Sequence, residues 1–154
     1  MAFAGAMDLF TMTIPNRISI GLTAAFLVAA LMVPLGWGEI ANHLGAGLLM
    51  LGVGIALFAG GFLGGGDAKL MAAAAVWFGF DRLLEYVVLV SISGGALVFL
   101  IVFYRSVEPP LWIRGQPWAM RLHEKASGVP YGIALAAGGL WLYPSTSWLQ
   151  SLVV

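Results

Sequence analysis

The chemistry this sequence can offer rests on two aspartates, Asp8 and Asp67. The second directly follows three consecutive glycines in Phe62-Leu-Gly-Gly-Gly-Asp-Ala-Lys-Leu70. An acid stranded between two long apolar runs is expensive in a bilayer and marks a site where charge has work to do. Two carboxyl groups brought close in a low-dielectric site cannot both ionise easily, so they share a proton. One can then act as general base on a water while the other, protonated, polarises a carbonyl, which is the acid and base division that peptide hydrolysis needs. Each acid also has an ordinary reading: Asp67 as the N-cap of the following helix, and Asp8 as an interfacial acid before the polar turn Thr11-Met-Thr13.

Composition sets the surroundings in which such a pair must work. Of 154 residues, 61% are hydrophobic and 9% charged, against about 45–50% and about 25% in an ordinary soluble domain. The expected fold is therefore an all-α integral membrane bundle of about six transmembrane helices, with residues 1–154 forming a single domain. Seven basic residues balance seven acidic ones, which points to no nucleic-acid partner. Cysteine is absent, which removes disulfides, thiolate zinc sites and cysteine nucleophiles. His43 and His123 lie far apart without metal-ligand spacing, so no metal site is expected.

Apolar runs cover residues 18–35, 44–63, 70–80, 86–104 and 129–143. A span needs about 20 residues, so the first, second and fourth qualify directly. The run 70–80 is expected to begin as helix near Asp67 and continue through Asp81-Arg82-Leu-Leu-Glu85. The last run extends toward Trp148, which with Trp37, Trp112, Trp118 and Tyr143 suits an aromatic belt. Only seven residues precede Asp8, about 11 Å of helix; they are read as the inner end of a first helix whose outer part lies upstream of Met1. If the loop 105–128 is cytoplasmic, Arg17, Lys69, Arg105, Arg114, Arg121 and Lys125 share its side and only Arg82 does not. That orientation places Asp8, Ile14-Pro15-Asn16 and Asp67 together at the cytoplasmic face and makes 36–43 a short outer loop. Within 105–128 the prolines argue against one continuous helix, residues 118–125 suit a short amphipathic one, and the basic residues suit anionic headgroups.

Most of the 21 glycines are expected to serve close helix packing. The triple glycine differs, because irregular backbone at membrane depth is tolerated where it lines a protein-buried or water-filled cavity. Pro15 and Pro130 suit helix starts, and Asn16 a local turn.

Asp8 followed six residues later by Ile14-Pro15-Asn16, then Gly64-Gly65-Gly66-Asp67-Ala68-Lys69-Leu70, then Gly128-Val-Pro130-Tyr131-Gly132 opening the last span, form an ordered set across nearly the whole chain. In this set the sequence resembles the type IV prepilin peptidases, membrane aspartic proteases with a GxGD signature, and within them the short branch associated with Flp-type (Tad/Cpa) pili. The resemblance implies that Asp8 and Asp67 are the catalytic pair and that Gly64, Gly65 and Gly66 let backbone and substrate approach. It further implies that the enzyme removes the positively charged leader of prepilins and pseudopilins at the cytoplasmic face of the bacterial inner membrane, with Tad pilus machinery as a further partner. Lys69 matches the family's basic residue; it biases the Asp67 charge, receives an acidic substrate residue, or snorkels to headgroups. Longer members carry CxxC motifs and methylate the new pilin N-terminus. This cysteine-free chain is expected to be a peptidase without methyltransferase activity, zinc or S-adenosylmethionine. Glu108 and Glu124 are the acids that could meet the cationic leader, while Glu39, Asp81 and Glu85 fall on the outer side. The competing reading is a non-catalytic membrane assembly subunit or a small transporter, with Asp67 as a helix cap or ion-pathway acid.

Overall fold

In the computed structural model, residues 1–33 and 35–146 are described; Trp148 lies outside them. The described residues form helices and connecting turns: α1 (Ala2–Thr11), α2 (Asn16–Met32), α3 (Trp37–Ala59), α4 (Gly65–Ser106), α5 (Leu111–Arg114), α6 (Pro117–His123), α7 (Gly132–Leu142) and a 3₁₀ turn, Tyr143–Ser145. Two of these elements, α3 and α4, are long and apolar enough to cross a membrane, while α1 and α2 are shorter apolar helices. Exposed apolar side chains cover the flanks, Leu31, Leu48, Ile92 and Phe99 among them, as a lipid-facing surface requires.

The expected outer loop at 36–43 is corrected by α3, which begins at Trp37. The Glu39 carboxylate accepts from the Gly36 backbone N–H at 3.0 Å, so the helix starts seven residues before the apolar run. Ala41, Asn42 and His43 are consequently helical.

The expected uninterrupted helix through 81–85 is also corrected. Gly79 takes φ +63°, ψ −178° inside α4, a conformation that glycine adopts without a Cβ penalty. It divides the element into arms 65–78 and 80–106. Asn42 and His43 take up the backbone groups near this break. The Phe80 N–H donates to Asn42 Oδ1 at 3.0 Å, Asn42 Nδ2 donates to Asp81 Oδ2 at 2.9 Å, and His43 Nδ1 bonds the Val76 carbonyl at 2.8 Å. Replacing Asn42 with alanine removes these exposed hydrogen bonds to Phe80 and Asp81, so an unfolding free energy lower by about 0.5–1.5 kcal/mol is expected in detergent melts.

Small residues then set how closely the helices pack. A Cβ on Gly54 would lie 2.9 Å from the Ala68 Cβ, and one on Gly5 would lie 3.0 Å from the Ala136 Cβ. These contacts hold α3 on the first arm of α4 and α1 on α7. The interior between them is filled by Ala4, Met50, Leu70, Ala74, Tyr86 and Leu135.

Hydrogen bonds define two ends of the bundle. At one, Lys69 reaches Asn16, Arg121 donates to the Phe10 carbonyl, and Arg105 donates to the carbonyls of Leu122, Ser127 and Gly128. At the other, Asn42 meets Asp81 and Arg82 meets the Ser145 carbonyl. The first arm of α4 therefore leads away from Asp67 and the second returns toward Arg105. Basic residues gather at the first end, and Arg82 stands at the second. Residues 117–123 form the short helix expected in the loop, and Arg105 and Arg121 donate to backbone carbonyls.

Candidate active site

Three chain segments meet at the basic end. The first is α1, stopped by Met12 in a left-handed conformation (φ +54°) whose N–H donates to the Asp8 carbonyl. The stop turns the chain sharply, so that Ile14 comes back under Asp8 and Pro15, extended, leads into α2. Ile14 is buried. A Cβ on Gly66 would lie 3.1 Å from the Ile14 Cβ, and one on Gly132 would lie 2.8 Å from its Cδ1. Ile14 is thus wedged between the first turns of α4 and α7, and Pro15 fixes where α2 begins.

The second segment is the start of α4. Gly64 is the N-cap, with extended backbone, and Asp67 is the third helical residue; Asp67 is therefore not the N-cap that its place after glycines suggested. Its carboxylate instead reaches back to the Gly64 backbone amide, the arrangement of an N3 acid in a capping box. The three glycines divide by what surrounds them. A Cβ on Gly64 would lie 2.8 Å from Asp67 Oδ2 and one on Gly66 would press on Ile14, whereas one on Gly65 would meet the Phe58 ring at 3.4 Å or more. Gly65, expected to allow close approach, therefore faces an ordinary van der Waals neighbour. Because only a methyl on Gly64 would push on the Asp67 carboxyl, any activity that depends on that carboxyl is expected to stay within about twofold in Gly65→Ala and to fall about tenfold or more in Gly64→Ala. Side-by-side initial rates check this contrast.

The third segment is the entry to α7. Pro130 is fully buried, and the Tyr131 ring packs against Gly94, whose added Cβ would lie 3.3 Å from Tyr131 Cε1. Arg105 holds the preceding carbonyls of Ser127 and Gly128. So fixed, the Gly132 backbone N–H donates to Asp8 Oδ2 at 2.7 Å and is also directed at Asp67.

The structure brings Asp8 and Asp67 together. Both are buried, at 5% and 7% exposure, and they lie within electrostatic reach of each other with the Gly132 amide between them. Asp67 Oδ1 has no hydrogen-bond partner among the described residues. A buried carboxylate oxygen without a partner is unusual and calls for an explanation such as a catalytic role or a bound water. Lys69 does not join the pair; its Nζ donates to Asn16 Oδ1 at 2.9 Å, and no ion pair links it to either aspartate among the described residues. Asn16 is thus a helical residue held by a distant side chain rather than a turn former. Glu108 pairs with Arg114 at 3.4 Å on the surface, away from the carboxyl groups.

Sequence reasoning placed Gly132 in a motif without giving its backbone a role. Its signal was a glycine opening an apolar run directly after Pro130-Tyr131, where a side chain would obstruct whatever approaches. Arg105 as a staple left no signal beyond its charge.

A family model described as the type IV leader peptidase family matches residues 1–101. No curated protein and no solved structure matches the chain. The matched region carries Asp8, Ile14-Pro15-Asn16 and Gly64 to Lys69 and ends before Gly132.

Proposed function

From the premise that this chain belongs to the type IV leader peptidase family, we propose that it is the leader peptidase of Flp/Tad-type prepilins and pseudopilins, with Asp8 and Asp67 as the catalytic pair. Family membership makes it a peptidase whose substrates are leader-bearing precursors. The finer reading rests on one observation above the others: two buried carboxyl groups meet at a shared backbone amide, and one of their oxygens is left without a partner.

The chemistry follows from that arrangement. A water between the carboxyl groups loses a proton to the ionised member and attacks the scissile carbonyl, while the protonated member hydrogen-bonds the carbonyl oxygen. The tetrahedral intermediate collapses when the proton taken from water is passed to the leaving amine, and the pair returns to sharing one proton. The Gly132 amide holds Asp8 in place throughout, and the Gly64 amide does the same for Asp67. Water is the sole co-reactant, and neither metal nor S-adenosylmethionine enters.

The gathering of Lys69, Arg105 and Arg121 at the end that holds the aspartates supports a cytoplasmic-facing site in the inner membrane by the positive-inside rule. Co-expression with a Tad-type prepilin tests the function: leader removal, read as a shift in precursor size, is the expected outcome. An unprocessed precursor beside a folded, membrane-inserted enzyme is the outcome that would refute it.

A further inference from the structure

The two carboxyl groups are carried by separate elements, Asp8 by α1 and Asp67 by the first turn of α4. Arg105, in the last turn of α4, ties that element to the loop before α7. Its Nε donates to the Leu122 carbonyl at 2.8 Å, and its Nη2 donates to the carbonyls of Ser127 at 2.6 Å and Gly128 at 3.1 Å. Leu122 lies in the last turn of α6, where carbonyls lack partners within the helix and a cation is favoured. Gly128 is four residues from Gly132, whose N–H donates to Asp8 Oδ2 at 2.7 Å. The chain between them has little slack: Pro130 is fully buried, the Tyr131 N–H returns to the Val129 carbonyl at 2.9 Å, and the Tyr131 ring packs on Gly94 of α4. A second set of contacts joins α6 to α1. Arg121 Nη1 donates to the Phe10 carbonyl at 3.1 Å, and the Trp118 ring meets the Phe10 ring edge-on with centroids 5.5 Å apart, two residues beyond Asp8.

We propose that Arg105 is a positioning residue: it fixes the entry to α7 against the end of α4, so that the Gly132 amide presents the Asp8 carboxyl to Asp67. The proposal rests on the peptidase reading above and extends its machinery into the loop 105–128. An acid and a base that act on one water tolerate little displacement, and Asp8 stands on a helix of only ten residues. Something outside α1 has to set its position relative to α4. Arg105 is the residue of α4 that reaches the chain leading to Gly132, and it does so with charged donors, whose hydrogen bonds are stronger than neutral ones. The residue type also fits the task. A guanidinium presents several donors in a rigid planar fork, whereas an ammonium on a flexible stem is a point charge that cannot hold the same three carbonyls in one geometry. A cation recruited for headgroups or for an acidic substrate residue would turn its donors outward, but Nε and Nη2 of Arg105 face carbonyls of its own chain.

The test compares initial rates on a purified prepilin for the native enzyme, Arg105→Ala, Arg105→Lys, Gly132→Ala and the double variant Arg105→Ala with Gly132→Ala. Hydrogen–deuterium exchange of the Gly132 amide is followed in the native enzyme and in Arg105→Ala. Arg105→Ala is expected to lower kcat by about tenfold with KM held within about twofold, since Asp8 is displaced while substrate contacts remain. Arg105→Lys should fall nearly as far, because charge without the fork does not hold the loop. On the Gly132→Ala background the loss of Arg105 should cost no more than about a further twofold, as expected of two residues that act through one contact. The Gly132 amide should exchange about tenfold faster in Arg105→Ala while amides of α3 keep their native protection, which separates a local release from general unfolding. A rise in KM at unchanged kcat, a full rate in Arg105→Lys, a multiplicative loss in the double variant, or unaltered exchange at Gly132 would each overturn the proposal while leaving the peptidase reading intact. If the native enzyme itself removes no leader, the peptidase reading falls and the exchange decides the rest: faster exchange at Gly132 alone supports the tie from Arg105, and unaltered exchange refutes it.

Discussion

Replacing either Asp8 or Asp67 with asparagine is expected to lower the rate of leader removal by about 10²–10⁴-fold, the range that one positioned acid or base contributes. The substitution is close in shape and leaves the surrounding contacts possible. An asparagine carbonyl at position 67 can still accept from the Gly64 amide, and one at position 8 can still accept from Gly132. Neither variant should lose folded protein, and each removes a buried ionisable group that the native interior pays to desolvate. The informative measurement is the double variant. If the two carboxyl groups work as a unit on one water, Asp8→Asn with Asp67→Asn should be little slower than either single change. Multiplicative losses would show two independent contributions, and an unchanged rate in either single variant would remove that residue from the mechanism. Under the competing transporter or assembly-subunit reading, neither change would touch precursor size at all.

The second large effect is expected at a residue with no side chain. A Cβ on Gly132 would lie 2.8 Å from Asp8 Oδ2, 2.9 Å from Asp8 Cβ and 2.8 Å from Ile14 Cδ1. The Ile14 methyl can rotate aside, but Asp8 Cβ is fixed to the backbone of α1, which is itself pressed on α7 through Gly5 and Ala136. Relief therefore has to come from moving Asp8 away from the amide it accepts from. Displacing a reacting group by about 1 Å can reduce a rate by about 10²-fold, and the overpacking itself is expected to lower stability by about 1–3 kcal/mol. Gly132→Ala should thus fall in kcat while remaining folded, which initial rates of leader removal beside a thermal melt in detergent would report. The comparison with Gly65→Ala is the control, because that glycine lies in the same group of motifs and its added methyl meets only the Phe58 ring. Equal rates for Gly132→Ala and the native enzyme would show that Asp8 is not held by this amide.

Several features of the molecule were open to a reader of the sequence. The apolar composition announced a membrane protein, and the skew of lysine and arginine placed Asp8, Asn16 and Asp67 at a common end. Patterning by charge is a property of the chain and survives without coordinates. The start of α4 near Asp67 was equally legible, since glycine followed by an acid is a local signal acting over a few residues. What local signals misjudged were boundaries decided by distant partners. The residues at 36–43 looked like a loop because they are polar beside an apolar run, yet Asn42 and His43 are helical and spend their polar groups on α4. Gly79 looked like one small residue among many, and only the neighbouring ring of His43 and the donor and acceptor on Asn42 explain why the helix breaks there rather than at the charged stretch that follows.

For the site, the sequence by itself determined the kinds of group available: two acids, a glycine-flanked turn, an isoleucine, prolines that begin helices, and no thiol. Those are questions of residue type and spacing, which are written in the chain. The tertiary structure alone decided which groups touch. Asp8 and Asp67 are separated by 58 intervening residues, and the element that links them is the backbone N–H of Gly132, a group that every residue but proline carries and that no sequence pattern can single out. The same holds for the unpartnered oxygen of Asp67. Whether a polar atom is satisfied depends on which helices close over it, and that is settled by packing across the bundle rather than by any neighbour along the chain.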